Sequence, residues 1–259
     1  MKSWHIVFSV CTVTACVWAA GENLLVNPGF EESSCPSSSN NGAWGWYKDG
    51  AIATPGWRGG GNAGIAKAGN TTWLPMGTGT WTAYIQRYKP WGAGLNSYIE
   101  QTVHITQFGI YEFSFSSALR TKYTACQIGF SVNDGTTMTE YDPVTCSNQT
   151  FVRHTYRVTL EANRDYTFRL HGFDSDINDT TAMVDDCELV YLGDPSTPFT
   201  ATWTGAKGTV DLLDGGNWDC YDFLGEKMDS TVIPLAGTTS ACAKIPIVLS
   251  PSPKVSSVA

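Results

Sequence analysis

Over residues 23–192 the chain is a succession of short alternating stretches broken by Gly, Asn, Asp and Pro, and runs with helical period are almost absent. In residues 110–116, Tyr111, Phe113 and Phe115 fall on one side and Glu112, Ser114 and Ser116 on the other. That period of two is the signature of a half-buried antiparallel strand. Residues 98–105 place Ile99, Val103 and Ile105 inward beside Gln101, and residues 127–132 do the same with Ile128, Phe130 and Val132. Asn133, Asp134 and Gly135 then supply a turn. Val152, Tyr156, Val158 and Leu160 share a face with His154, Tyr166, Phe168 and Leu170 share another beyond a turn at Asn163, and these two strands read as a hairpin. The last strand, residues 182–192, sets Asp185, Cys187, Leu189 and Tyr191 on one inward face. About ten such strands suffice for two packed sheets around one core. The expected fold is therefore all-β, an antiparallel β-sandwich over residues 22–192. Composition agrees, since only 15% of residues are charged while 12% are aromatic and 26 are Gly, a balance of turns and aromatic surfaces rather than amphipathic helices.

The flanks read differently. Lys2 and His5, an apolar stretch over residues 6–18, and then Ala19, Ala20 and Gly21 have the layout of a secretory signal peptide, assigned to residues 1–20. Cleavage after Ala19 is preferred because it places Val17, not bulky Trp18, three residues back. The apolar stretch is too short to span a bilayer as a helix, and the expectation is a secreted protein of the extracellular space or cell wall, without membrane insertion. Residues 193–198 form a Pro-containing linker. Residues 199–249 form a small segment with Trp203, Trp218 and a Cys pair, short enough to depend on a disulfide, and the Ser- and Pro-rich residues 250–259 read as a disordered tail.

Without residues 1–20, Cys35, Cys126, Cys146, Cys187, Cys220 and Cys242 remain. An even number suits an oxidising compartment, although six cysteines allow fifteen connectivities. Chain layout narrows these: Cys126 and Cys146 flank a hairpin, Cys220 and Cys242 lie in the C-terminal segment, and Cys35 is left for Cys187. Asn70, Asn148 and Asn178 head N-glycosylation triplets in polar stretches. Losing Lys2 with no acidic residue takes the formal charge from -8 to -9, which disfavours nucleic acid and anionic membrane as partners.

Several strings in order resemble one superfamily. They are residues 23–31, with Asn27, Pro28, Gly29, Phe30 and Glu31; residues 54–57, ending on Trp57; residues 83–86, 99–103 and 109–115; and residues 183–189, with Asp185, Asp186 and Cys187. Their order and spacing resemble galactose-binding-domain-like jelly rolls, including carbohydrate-binding modules of families four and nine and a family of plant cell-wall proteins. The resemblance implies a jelly roll and a binding role rather than a particular ligand. It also implies a structural calcium near the first and last strands, held here by Glu31 and Asp185, which suits a hard cation seeking oxygen ligands. Residues 199–249 faintly resemble Trp- and Gly-containing repeats of microbial surface proteins.

Sugar recognition needs flat aromatic faces with amides, carboxylates or Arg nearby. Residues 43–98 hold Trp44, Trp46, Tyr47, Trp57, Trp73, Trp81, Tyr84, Tyr88, Trp91 and Tyr98 among Asn62, Gln86, Arg87 and Asn96. Trp57 is assigned to the core. Trp73, Trp81 and Trp91 stand beside Gly or Pro and are expected to be exposed, with Tyr84 and Tyr88 completing the ligand-binding set. No nucleophile elbow, zinc-protease helix, phosphate loop or dinucleotide fingerprint occurs. Of His104, His154 and His171 none belongs to a motif, and His154 reads as a core residue. The expectation is a noncatalytic protein binding a polysaccharide or glycan. The alternatives are an adhesive or structural protein engaging matrix proteins, and a polysaccharide hydrolase using Glu31 and Asp185.

Overall fold

The computed structural model describes residues 21–36, 40–50, 52–68, 75, 77–87, 97–121, 125–173, 180–196, 200–204, 206–207, 215–221, 225–229 and 247–249. The chain divides into two compact units, one of Gly21–Leu192 and one that includes Gly193–Ala259. Among the described residues helix is limited to single 3-10 turns. The larger unit carries two antiparallel sheets. One runs, edge to edge, through β1 (Trp44–Trp46), β3 (Asn62–Lys67), β4 (Trp81–Arg87), β11 (Thr180–Gly193), β6 (Gly109–Leu119) and β9 (Val152–Leu160). The other runs through β2 (Arg58–Gly60), β5 (Tyr98–Ile105), β10 (Arg164–Gly172), β7 (Cys126–Asn133) and β8 (Met138–Cys146). They stack as a β-sandwich with the interleaved strand order of a jelly roll.

Alternation in the sequence fills the space between the sheets. Tyr111, Phe113 and Phe115 of β6 are all buried, and Phe113 stacks on Phe130 of β7 at 4.7 Å and on Phe168 of β10 at 5.6 Å. Each such aromatic contact adds about 0.5–1.5 kcal/mol beyond area burial and ties one sheet to the other. On the outer side of the six-stranded sheet, Ala66, Tyr84, Ala118 and Met183 form a second, smaller cluster, capped by the half-buried Trp44, Trp46 and Phe151. The turn between β7 and β8 is set by Asp134, whose carboxylate accepts the amides of Thr136 at 2.8 Å and Thr137 at 2.7 Å. The Thr137 amide, the Thr136 hydroxyl and the Thr136 amide hold that carboxyl down to about 2.

Two expectations about strands are corrected. Strands β9 and β10 do not form a hairpin: β9 pairs with β6, while β10 pairs with β5 and β7 in the opposite sheet. The link between them crosses the sandwich, with Asn163 in the left-handed region at φ 57 and the Glu161 amide bonded to the Tyr166 hydroxyl at 3.0 Å. Asp185 also does not share the face of Cys187. Ala182 and Val184 lie in the inter-sheet core, and so do Cys187 and Leu189, which is impossible for an uninterrupted period of two. Asp186, at φ 49, absorbs the odd residue. Asp185 therefore faces Thr82, whose hydroxyl donates to it at 3.3 Å, yet it is fully buried.

The start of the unit is stitched to its end. Leu24 donates its amide to Leu189 at 2.9 Å, Cys187 donates to Pro28 at 3.0 Å, and Asn23 bonds Cys187 and Leu189 through both ends of its side-chain amide. Gln101 holds the same segment from the other sheet, accepting the Val26 amide at 2.7 Å and donating to the Val26 carbonyl at 2.9 Å. In the smaller unit, β12 (Thr200–Trp203) lies between β13 (Trp218–Tyr221), antiparallel to it, and β14 (Ile247–Leu249), parallel to it. Cys220 is buried in β13, and its expected partner Cys242 lies outside the described residues.

His154 sits against Phe115 at 5.2 Å with Nε2 at 2.8 Å from the Ser117 hydroxyl, and burial lowers its pKa. A depressed histidine binds fewer protons folded than unfolded, so its effect is absent above the unfolded value near 6.5 and destabilises as pH falls below it. Thermal melts between pH 8 and pH 5 should show wild type losing more stability than His154→Gln below about pH 6.5; parallel curves would remove His154 from the acid response.

Candidate functional site

On the outer face of the five-stranded sheet, register lines up one row across every strand. Arg58 of β2 pairs with Glu100 of β5, Glu100 with Arg169 of β10, Arg169 with Ser131 of β7, and Ser131 with Glu140 of β8. Because successive residues of a strand alternate faces, these side chains all stand on the side opposite Ile99, Phe168 and Phe130. Glu100 is the centre of the row. Its side chain is 3% exposed, with Oε1 at 2.6 Å from Arg58 Nε and Oε2 at 2.6 Å from Arg169 Nε. A carboxylate so far removed from water requires this double pairing.

The neighbouring row is Gly60, Tyr98, His171 and Gly129. Here the glycines are space for rings: a Cβ on Gly60 would lie 2.7 Å from Tyr98 Cε1, and one on Gly129 would lie 2.3 Å from His171 Cε1. Tyr98 thus leans over β2 and His171 over β7, away from each other. Arg169 Cζ lies 4.2 Å from the Tyr98 ring centroid, a cation–π contact that fixes the guanidinium. His171 Nε2 lies 3.0 Å from Glu140, and Phe173, 45% exposed, stands beside the His171 ring at 6.2 Å. The result is a partly exposed face with donors and acceptors held in place by ion pairs, bordered by a Tyr and a Phe ring.

A second site lies at the Asp186 kink. Glu31 accepts the amides of Thr80 on both oxygens, at 2.9 and 2.8 Å, and that of Trp81 at 3.0 Å. Gly79, at φ 78, makes this possible, since a Cβ there would lie 2.4 Å from the Glu31 carboxyl carbon. Gly77 likewise packs on Asp185, where a Cβ would fall 1.8 Å from Oδ2. Burial pushes Asp185 up to about 7; the Asp186 amide and the Thr82 hydroxyl oppose the shift, while the Asp186 and Glu31 charges add to it. Arg153 reaches the Asp186 carbonyl and Glu188, the latter at 2.7 Å, and steadies the kink. Among the described residues no group of three or more His, Cys, Asp or Glu gathers as a metal cage. The chemistry nevertheless fits a hard cation: oxygen donors, a buried carboxyl with no cationic partner among the described residues, and a glycine packed against it.

Of the expected ligand-binding residues Trp81 and Tyr84 are described, and they lie in different clusters. Trp81 is not an exposed loop ring: it opens β4 on the parity of Ala83 and Ile85, is 8% exposed and belongs to the inter-sheet core, with Lys67 Nζ 5.7 Å from its ring. Tyr84 is 4% exposed in the smaller cluster and donates its hydroxyl to Gly45 at 3.0 Å. Trp73, Tyr88, Trp91, Asn70 and Asn178 lie outside the described residues. Asn148 is exposed beyond β8. Cys126 and Cys146 stand directly opposite each other, and a hydrogen bond from Cys126 lowers the Cys146 pKa. Arg58, Glu100, Glu140, Arg169 and His171 were not anticipated as a site. Alternation in β5 and β10 gives the outward parity of Glu100, Arg169 and His171, but β2 and β8 carry too weak a pattern to show that of Arg58 and Glu140, and the adjacency of all five depends on which strands pair.

No family model and no curated protein matches the sequence. Among solved structures the chain is similar to TmCBM61 in complex with β-1,4-galactotriose, at 19% identity over 65% of this chain and 98% of that one, with a TM-score of 0.42. It is also similar to the CBM22-1 xylan-binding domain from Paenibacillus barcinonensis Xyn10C, at 16% identity over 66% and 96%, with a TM-score of 0.44. A third is the K2 cleaved adhesin domain of Lys-gingipain, at 15% identity over 53% and 91%, with a TM-score of 0.40.

Replacing Glu100 by Gln leaves Arg58 and Arg169 without their shared counter-charge. Urea unfolding should show a loss of roughly 2–3 kcal/mol, less than for a fully enclosed pair because Arg58 is largely exposed; an unchanged midpoint would mean that the row is not held by charge.

Proposed function

We propose that the protein binds carbohydrate without catalysis, through the outer face of its five-stranded sheet. The observation that carries this reading is the row Arg58, Glu100, Arg169, Ser131, Glu140, with Tyr98 beside it. Planar guanidinium and carboxyl groups in fixed positions suit the closely spaced hydroxyls of a sugar, and an aromatic ring suits its C–H surface. Trp73, Tyr88 and Trp91 are proposed to add aromatic contacts. Retention of the protein on a polysaccharide affinity gel should fall about tenfold or more in Tyr98→Ala and in Arg169→Ala, with melting temperatures showing that both fold. Undiminished retention in the double variant would move the binding site elsewhere. Co-purification with matrix proteins and no retention on any glycan would favour the adhesive alternative.

The rest of the proposal concerns setting and support. We place the protein outside the cell or in the cell wall on the layout of residues 1–20, and we propose glycans on Asn70, Asn148 and Asn178. Disulfides Cys126 to Cys146, Cys35 to Cys187 and Cys220 to Cys242 follow the same reasoning; the first is favoured by direct cross-strand register. Calcium is proposed at Glu31 and Asp185, where it would supply the positive charge that the buried Asp185 lacks. The protein's own part is to hold Glu31 on the amides of Thr80 and Trp81 and Asp185 against Gly77. Calcium at about a hundred times its Kd should raise the melting temperature by roughly 5–10 °C, and Asp185→Asn should erase the increment. A melt indifferent to calcium and to chelator would remove the metal.

A further inference from the structure

We infer that the sugar taken by this face carries an anionic group, a carboxylate or a sulfate, gripped by Arg58 and Arg169. This rests on the carbohydrate reading above and specifies its ligand. The trio Arg58, Glu100, Arg169 has two positive charges and one negative, and the signs are not equally accessible. Glu100 is 3% exposed and spends one oxygen on each arginine, whereas the side chains of Arg58 and Arg169 are 69% and 35% exposed. The charge that a ligand meets at this trio is therefore positive.

The geometry of the two arginines is set by the same contacts. Each meets Glu100 through Nε, so the carboxylate engages one of the three guanidinium nitrogens on either side. Among the described residues the terminal amino groups make no further hydrogen bond on either arginine. Arg169 is further fixed by the Tyr98 ring. A prearranged pair of planar donors is the arrangement that recognises carboxylate and sulfate oxygens in bidentate fashion. Adjoining Arg169 in the row, the Ser131 hydroxyl is buried and has no hydrogen-bond partner among the described residues. Two further carboxylates stand on this face, each beside a histidine: Glu140, beyond Ser131, meets His171, and Asp165, four residues from Arg169 along β10, meets His104. The formal charge of the whole chain is -8, but at physiological salt that field is screened beyond about 8 Å, so the local fork decides.

The test uses the full chain at 0.15 M salt and calorimetric titration with three probes: an oligogalacturonate, the same oligosaccharide with its carboxylates reduced to alcohols, and a sulfated galactan oligosaccharide. Wild type should bind the carboxylated or the sulfated probe about tenfold or more tightly than the reduced one, and whichever is preferred identifies the anion. Arg58→Gln, on an exposed edge strand, should abolish that preference, and Arg58→Lys, which keeps charge without the planar fork, should retain only part of it. Circular dichroism and melting temperature confirm that each variant is folded. Equal binding of charged and reduced probes overturns the inference and leaves the carbohydrate reading standing. A preference for anionic probes that survives Arg58→Gln overturns the assignment to these arginines. Binding of none of the three probes, nor of any neutral polysaccharide, overturns both.

Discussion

One backbone angle governs how the large unit closes. Asp186 in the left-handed region costs an L-residue about 1–2 kcal/mol, less for Asp than for most residues. It allows β11 to present Val184 and Cys187 to the same core. Without it one half of β11 would turn its apolar residues away from the sandwich. Asp185, just before the kink, is buried without an ion-pair partner among the described residues; Gly77 packs on it, Gly79 beds the neighbouring Glu31, and Arg153 holds the Asp186 carbonyl. The strain and the buried carboxyl thus stand at adjacent residues.

Much of the architecture is legible in the residues because alternation is a local rule. β6 reads directly from Tyr111, Phe113 and Phe115, and the β7 to β8 hairpin reads from Asn133, Asp134 and Gly135. What alternation omits is which sheet a strand joins. β9 and β10 are separated by a short link with a turn residue, the usual sign of a hairpin, yet they stand in opposite sheets because each finds its partners among distant strands. Parity misplaces Asp185 for a related reason: it counts residues, and one left-handed residue resets the count.

The site shows the same limit. Trp81 follows a stretch rich in Gly and Thr, which suggests an exposed ring, but it is the first residue of a buried strand and follows the parity of Ala83. The polar face was unreadable as a unit because its members come from five strands, and only pairing brings Arg58, Glu100 and Arg169 together. The glycines that bed Tyr98 and His171 were visible, but their role is apparent only when the opposing ring is placed over them.

The side-chain amide of Asn23 bonds the backbone of Leu189, 166 residues away. A chain made from its N-terminus cannot complete this joint until the last strand of the unit has been synthesised. The same holds for β4, whose neighbour β11 is made nearly a hundred residues later. Early segments therefore wait with unpaired edges and apolar faces, and contacts this distant slow folding through the entropy of loop closure. The unit has little stable structure to gain from its first half alone, so its maturation is post-translational in character, and a break in β11 would undo the earliest residues as surely as the latest.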